Sequence, residues 1–122
     1  MIEVKHLTKK YASATAVNDV SFTVEPGKIY GFLGPNGAGK STTMNIIAGC
    51  LAPTDGQVLI NGYDITEEPE EAKRFIGYLP EIPPLYPDFT PLEYLTFVGK
   101  AKGLRGAELR SQLDYVIEAA CI

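Results

Sequence analysis

A glycine-rich loop that ends in a lysine and three hydroxyl residues is the part of the sequence best suited to chemistry. Within residues 31–43, "GFLGPNGAGKSTT", Gly34, Gly39, Lys40 and Ser41 match the pattern G-x-x-x-x-G-K-[ST] in full. Glycines permit positive φ angles and let main-chain N–H groups approach an anion without a Cβ in the way. The pattern therefore predicts a cradle for phosphate groups.

The residues that close this loop predict which phosphate ligand it would hold. A helix beginning near Lys40 would add free N–H groups and the positive end of its dipole. Lys40 would place a mobile charge on the terminal phosphates, and the Ser41 hydroxyl suits Mg²⁺, which prefers oxygen ligands. A dinucleotide fingerprint fits less well, because Thr42 stands where a third glycine is required. We therefore expect a nucleotide with Mg²⁺.

The loop needs a strand before it and a helix after it, and the sequence predicts both. Residues 28–33, "KIYGFL", read as a buried strand, and Lys40 to Ala48 read as a helix that Gly49 caps. A second buried strand is predicted for "FIGYLP", residues 75–80. The pattern also predicts strands at 2–7, 17–25 and 56–60, a tight turn at 61–62, and helices at 66–74, 91–102 and 107–120. The fold class is therefore α/β.

Composition limits the size of the domain, the kinds of binding partner and the cellular compartment that are expected for this protein. The 122 residues suffice for one compact domain, and a net charge of −4 argues against a broad nucleic-acid surface. Cys50 and Cys121 lack metal-type spacing and are predicted to be buried apolar residues in a reducing compartment. No stretch has the character of a signal peptide or a membrane span. We expect a cytoplasmic protein, or one peripheral to a membrane.

The segments around the loop carry a resemblance to a known family. "GPNGAGKSTT", "VNDVSFTVEPGKIYGFLG" and "LAPTDGQVLINGYDI" resemble the ATP-binding subunits of ABC transporters. "IGYLPEIPPLYPDFTPLEYLTF" is similar to the ABC-2-type exporter branch, which includes gliding-motility-type subunits. The resemblance implies a P-loop NTPase core of the ABC ATPase type, with an N-terminal antiparallel β-subdomain. Residues 1–122 would be the N-terminal part of one ATP-binding domain: 1–90 the β-subdomain and P-loop core, and 91–122 the start of a truncated helical subdomain.

The resemblance also assigns roles to individual residues. Tyr11 stands where the family has the aromatic side chain that stacks on adenine, and Val17 is expected beside the ribose or base. Glu81 stands where most of the family has the Q-loop glutamine, which helps to position Mg²⁺ and the attacking water. The predicted nucleotide-binding residues are Tyr11, Val17, Asn36, Gly37, Ala38, Gly39, Lys40, Ser41, Thr42 and Thr43, the predicted metal ligands are Ser41 and Glu81, and the predicted catalytic residues are Lys40 and Glu81.

Several of the family's catalytic motifs have no counterpart here. They are the signature sequence, the Walker B aspartate, the catalytic glutamate beside it and the switch histidine; the only histidine, His6, precedes the loop. We expect a full-length subunit to hydrolyse ATP as a homodimer on the cytoplasmic face of the cell membrane, driving a transmembrane permease. We expect this chain alone to bind without hydrolysis.

Two alternatives remain at this stage. Another P-loop NTPase is disfavoured, because a GTPase would need an N-K-x-D motif and a kinase an arginine-rich lid. Only Arg74, Arg105 and Arg110 are present, and they are scattered. The other alternative is a module that binds nucleotide without catalysis.

Overall fold

Eight secondary-structure elements make up the protein. The computed structural model describes residues 1–122, which divide into two compact units, 1–78 and 79–122. The elements of the first unit are β1 (Ile2–Tyr11), β2 (Ala14–Val24), α1 (Lys40–Ile47), β3 (Asp55–Ile60), β4 (Tyr63–Asp64) and α2 (Pro69–Lys73). Those of the second are α3 (Pro91–Ala101) and α4 (Gly106–Ala120).

An antiparallel sheet and one helix form the core of the first unit. The strands lie in the order β2-β1-β3-β4, and every neighbouring pair is antiparallel, which confirms the predicted antiparallel β-subdomain. Helix α1 contributes Ile46 to the apolar cluster that the strands bury. The buried apolar residues of this cluster are Val4, Leu7, Val17, Ile46, Val58, Ile60, Ile65 and Ala72. Packing of α1 against the sheet thus holds the helix in place, including its first residue, Lys40, which directly follows the glycine-rich loop.

Strands β1 and β2 are longer than predicted and contain paired irregularities. His6 and Asp19 have positive φ angles of 50° and 49°, and the pairing register shifts near both. The His6 N–H donates to Ser21 Oγ at 2.8 Å, and the Asp19 N–H donates to Thr8 Oγ1 at 3.1 Å. Bulges of this kind increase the local twist. They let the hairpin continue to Tyr11 and Ala14, where the sequence shows no clean alternation.

Two predicted buried strands are wrong. Residues 28–33 and 75–80 form no strand, and they leave Ile29 fully exposed and Leu79 79% exposed. A strand exists only when a neighbour completes its hydrogen bonds, and the four strands of this sheet pair only with one another. A run of apolar residues indicates that a segment tends to be buried. It does not indicate whether another segment of the fold is available to pair with it as a neighbouring strand.

The helices of the first unit follow their local signals. Helix α1 ends at Ile47, and Gly49 takes the left-handed conformation expected after a helix, with a φ of 73°. Helix α2 is shorter than the predicted 66–74. The Asp64 carboxylate accepts the N–H groups of Thr66 and Glu67, which holds those residues in a turn and delays the helix until Pro69.

Asp64 should make the stability of the first unit depend on acid pH. Burial raises the pKa of Asp64, but hydrogen bonds from the Gln57 side chain and from the N–H groups of Thr66 and Glu67 outweigh it and leave the pKa below its ordinary value. A lowered folded-state pKa stabilises the fold above the unfolded-state pKa of about 3.9, and this stability is lost as the pH falls through the folded-state pKa.

We therefore expect Asp64→Asn to be less stable than the wild type at neutral pH. The difference in urea unfolding free energy should shrink as the pH falls below about 4, where the wild-type carboxylate also becomes neutral. Asp114→Asn, an exposed position on α4, is the control and should leave the pH dependence unchanged. If the unfolding free energies of Asp64→Asn and the wild type ran parallel over the whole pH range, the ionised carboxylate of Asp64 would contribute nothing to stability.

The second unit begins its first helix as the sequence predicts. Thr90 Oγ1 accepts the Glu93 N–H at 3.3 Å, and the Glu93 carboxylate accepts the Thr90 N–H at 2.8 Å. Pro91 occupies the first helical position, so the predicted capping box is confirmed. The Thr90 N–H and the Thr90 hydroxyl both donate to the Glu93 carboxylate, and these two bonds lower the pKa of its carboxyl group. Leu109 of α4 is buried, and its Cδ1 atom packs against Gly99 of α3.

The first compact unit ends at residue 78 and the second begins at residue 79, whereas the predicted internal boundary was residue 90. Rings from the proline-rich loop explain the difference, because they pack onto α3. Tyr86 and Phe89 both meet Phe97 edge to face, with ring centroids 5.8 and 6.3 Å apart. The assignment of all 122 residues to one ATP-binding domain stays a prediction.

Both cysteines are exposed, so the prediction that they are buried is wrong. Cys50 lies just beyond the end of α1, and Cys121 follows α4 in a left-handed conformation. Both cysteines therefore lie beyond the last residue of a helix, and the apolar character of a cysteine side chain does not by itself predict this exposed position.

None of the helices combines the length and apolar character that crossing a membrane requires.

Candidate phosphate-binding site

The loop before α1 packs against β2 through a glycine that no other residue can replace without strain. Gly39 has a φ of 89°, and a Cβ built there would lie 2.2 Å from the Ala16 carbonyl oxygen and 3.2 Å from Val17 Cγ2. Gly37 also has a positive φ, of 84°, but space around it is open. The predicted use of glycine for positive φ is therefore confirmed at both positions, and Gly39 additionally permits a close main-chain approach.

The start of α1 faces an open concavity with main-chain donors. No side chain caps this helix, so the N–H groups of its first residues have no partner within it. The concavity has a volume of about 400 Å³. Its lining residues are Ala16, Asn36, Gly37, Gly39, Lys40, Ser41 and Thr42. Glycine-rich backbone and a free helix N-terminus therefore lie at the same surface, as an anion site requires.

The Lys40 side chain folds back over the loop. Its ammonium donates to the carbonyl oxygens of Gly34 and Pro35, the second at 2.7 Å. An ammonium has three donors, so these two bonds do not exhaust it. The charge is thus held beside the free N–H groups of α1 on a flexible stem that can reach another acceptor.

Two of the predicted nucleotide-binding residues, Thr43 and Ala38, use their hydrogen-bond donors within the protein. Thr43 is buried, and both its hydroxyl and its N–H donate to the Gly39 carbonyl, at 2.8 and 2.9 Å. Thr43 therefore closes the first turn and has no donor left for a phosphate. The Ala38 N–H donates to Pro35 O at 3.2 Å and so belongs to the turn of the loop.

Residues 16 and 17 take different roles. Val17 is only 4% exposed and belongs to the apolar cluster, so its contact with a ribose or base stays a prediction. Ala16, which was not among the predicted site residues, lines the concavity. The strand was predicted to begin at 17, but it begins at Ala14, and the alternation of faces along an extended β2 is the signal that separates 16 from 17.

The predicted base platform, Tyr11, lies at the end of β1. It pairs with Ala14 across the hairpin, two residues before Ala16, and it is 50% exposed. The ammonium of Lys9 lies over its ring, 5.4 Å from the centroid. Glu81 belongs to the second unit, where it lies exposed in a bend outside the helices. Its roles in catalysis and Mg²⁺ binding stay predictions.

Comparison with known proteins identifies the family to which this chain belongs. Residues 17–120 match the model of the family described as ABC transporter, and the chain belongs to that family. The resemblance drawn from the sequence is thereby confirmed, and a kinase or a GTPase of another P-loop family is excluded.

Two relatives of this chain are named as ATP-binding proteins. It is 41% identical over 119 residues to the probable multidrug ABC transporter ATP-binding protein YbhF of Escherichia coli (strain K12), a match that covers 98% of this chain and 21% of YbhF. It is 39% identical over 118 residues to the linearmycin resistance ATP-binding protein LnrL of Bacillus subtilis (strain 168), covering 97% of this chain and 38% of LnrL. The chain therefore spans well under half of these relatives.

Solved structures confirm the fold. An ATP-binding subunit of an ABC transporter aligns with a TM-score of 0.85 and 38% identity, covering 97% of this chain and 49% of the subunit. The ATP-binding cassette MJ0796, in a dimeric post-hydrolysis state bound to ADP and Pi, aligns with a TM-score of 0.81 and 27% identity, covering all of this chain and 58% of the cassette. The protein therefore has the ABC ATPase fold.

Proposed function

We propose that residues 34–42 bind the triphosphate of MgATP. We also propose that the chain acts within an ABC transporter ATPase, which couples ATP hydrolysis to transport by a transmembrane permease. The observation that carries the first part is the close packing of Gly39 on Ala16, which turns the uncapped start of α1 and the Lys40 ammonium toward one concavity. The names of two relatives, a probable multidrug ABC transporter ATP-binding protein and a linearmycin resistance ATP-binding protein, support the second part.

The residues of the loop would divide the work of holding the phosphates. Free N–H groups at Gly39, Lys40, Ser41 and Thr42 would donate to phosphate oxygens. The Lys40 ammonium would exchange a loop carbonyl for a phosphate oxygen, because a charged acceptor forms the stronger bond. Asn36 and Gly37 line the same concavity and would complete its rim.

The donor set fits a magnesium ion that arrives with the nucleotide. No group of three or more His, Cys, Asp or Glu side chains could hold a metal by itself. Mg²⁺ is commonly held by one or two protein oxygens together with phosphates and water, and the Ser41 hydroxyl on the concavity can supply one. Bound there, Mg²⁺ would neutralise charge on the phosphate oxygens. Glu81 is the second proposed ligand.

Ser41→Ala should reduce the dependence of ATP binding on Mg²⁺. The wild type should bind MgATP more tightly than ATP with a chelator, and this difference should be smaller in the variant, because one of the two proposed protein ligands of the ion is gone. Calorimetric titration with and without EDTA measures this. Ser111→Ala on α4 is the control. A wild-type response to Mg²⁺ that persists in Ser41→Ala would remove Ser41 as a metal ligand.

The remaining features extend the proposal to the whole transporter. Tyr11 would stack on adenine, a contact worth about 1–3 kcal/mol by analogy with single-strand platforms. A full-length subunit would dimerise, as the name of the MJ0796 structure records for that protein, and would lie on the cytoplasmic face of the cell membrane. The net charge of −4 makes nucleic acid an unsuitable partner. The exporter branch also rests on the sequence resemblance.

This chain alone should bind ATP without turning it over. Phosphoryl transfer needs a group that positions the attacking water, and the chain has no counterpart of the Walker B aspartate, the adjacent glutamate or the switch histidine. A phosphate-release assay with purified protein should therefore give the rate of the buffer, with Lys40→Ala as a control for contaminating ATPases. Release that is fast in the wild type and absent in Lys40→Ala would contradict this expectation.

A further inference from the structure

The Tyr11 ring is in contact with a lysine two residues earlier on the same strand. Both residues lie near the end of β1, on either side of a shift in the pairing register between Lys9 and Lys10. The Lys9 ammonium lies over the ring at 5.4 Å from its centroid, within the range of a cation–π contact. Tyr11 is nevertheless 50% exposed, so the contact with Lys9 leaves half of its surface open to solvent.

The same ammonium of Lys9 is also hydrogen-bonded to the segment that follows α1. Its Nζ donates to the Ala52 carbonyl oxygen at 2.8 Å. The adjoining backbone of β1 is bonded to the same segment, because the Thr54 N–H donates to Thr8 O at 2.9 Å and the Lys10 N–H donates to Thr54 Oγ1 at 2.9 Å. A surface lysine is ordinarily mobile, whereas this one has a fixed acceptor and a fixed backbone.

We propose that Lys9 is a positioning residue for nucleotide binding: it covers one face of the Tyr11 ring and presents the other face to the base. This inference rests on the proposed role of Tyr11 as the base platform. A ring already held in place loses less side-chain freedom when the base stacks on it. Stacking on the Lys9 side is blocked by the ammonium, so one face is selected.

The contacts of Lys9 distinguish it from a phosphate-binding lysine. Its ammonium is shared between the Ala52 carbonyl and the Tyr11 ring, whereas Lys40 lines the concavity at the start of α1. Lys9 should therefore influence the base of the ligand and leave the phosphates unaffected. A ligand that has phosphates but no base separates these two effects.

The test compares MgATP with magnesium tripolyphosphate by calorimetric titration. Lys9→Met keeps the length of the side chain and removes its charge, and Lys9→Arg keeps a cation that can reach both contacts. Lys10→Met is the matched control, because it removes the same charge one residue away, from a lysine whose ammonium is not the one over the Tyr11 ring. All four proteins are also compared by urea unfolding.

Lys9→Met should weaken MgATP binding by about two- to fivefold, the value of a cation–π contact at an exposed site, and leave tripolyphosphate binding unchanged. Lys9→Arg should restore the MgATP affinity, and Lys10→Met should match the wild type for both ligands. In a Tyr11→Ala background, Lys9→Met should have no further effect, because the ring through which it acts is gone.

Three results would overturn the inference: unchanged MgATP affinity in Lys9→Met, equal weakening for both ligands, or an undiminished effect of Lys9→Met in the Tyr11→Ala background. Failure of the phosphate site looks different, because the wild type would then bind no tripolyphosphate. Tripolyphosphate binding by the wild type together with an unchanged MgATP affinity in Lys9→Met would refute the role of Lys9 alone.

Discussion

Lys40→Ala should weaken MgATP binding at least about tenfold. A hydrogen bond that involves a charged group contributes about 1.5–3 kcal/mol, and the ammonium would make at least one such bond to a phosphate oxygen. Lys40 lines the concavity at the start of α1, and its present acceptors are neutral carbonyls that a phosphate oxygen can replace. Calorimetric titration of both proteins with MgATP measures the difference.

The control for this experiment is a lysine outside the concavity. Lys100→Ala removes the same charge from the last turn of α3 and should leave MgATP affinity unchanged. Because the Lys40 ammonium also bonds to the loop, urea unfolding of Lys40→Ala without nucleotide should be recorded as well. An unchanged MgATP affinity in a folded Lys40→Ala protein would contradict the proposed clamp.

Gly39→Ala should both destabilise the first unit and reduce MgATP affinity by more than about tenfold. The left-handed backbone alone costs about 1–2 kcal/mol in a residue with a Cβ. The added carbon would lie 2.2 Å from the Ala16 carbonyl oxygen, so the loop must move, and such overpacking costs about 1–3 kcal/mol more. Movement of the loop would turn the N–H groups of α1 away from the concavity.

Gly37→Ala separates the two causes. Its φ of 84° is close to that of Gly39, but nothing lies within 4 Å of the added Cβ. Its urea unfolding free energy should therefore fall by only the backbone cost of about 1–2 kcal/mol. Equal losses in Gly37→Ala and Gly39→Ala would mean that the approach of Gly39 to Ala16 contributes no stability.

Features fixed by neighbours in the sequence were predictable from the sequence. The glycine-rich loop, the start of α1 at Lys40 and the capping box of α3 each depend on residues within about ten positions of one another. The conformations of Gly37 and Gly39 follow from the same local pattern, since few other residues adopt a positive φ. The positive φ angles of Gly37 and Gly39 and the start of α1 therefore agree with the prediction.

Features fixed by distant partners were not predictable. Residues 28–33 and 75–80 have the composition of strands, but strand formation depends on a neighbour that the sequence of the segment cannot specify. The same is true of Lys9, which reaches an acceptor 43 positions away at Ala52. The extension of β2 to Ala14 follows from pairing with Tyr11 across a bulged hairpin. Each of these three features depends on a partner distant in the sequence and becomes visible only in the three-dimensional structure.

The role of Thr43 shows the same division within the site. The sequence places a third hydroxyl directly after Ser41 and Thr42, and the side-chain type alone suits a phosphate. The structure turns Thr43 into the first helical turn, where its hydroxyl donates to the Gly39 carbonyl and is buried. Helical periodicity separates neighbouring residues by about 100°, so adjacent hydroxyls cannot all face one ligand.

The central claim is that main-chain N–H groups at the start of α1 bind the phosphates of a nucleotide. The most direct measurement is an NMR titration of the ¹⁵N-labelled chain with magnesium tripolyphosphate, which follows each amide separately. The amides of Gly39, Lys40, Ser41 and Thr42 should show the largest shifts, with saturation at one ligand per chain, and Lys40→Ala should weaken the response. Saturable shifts elsewhere with these four amides unchanged, or no shifts at all, would contradict the claim.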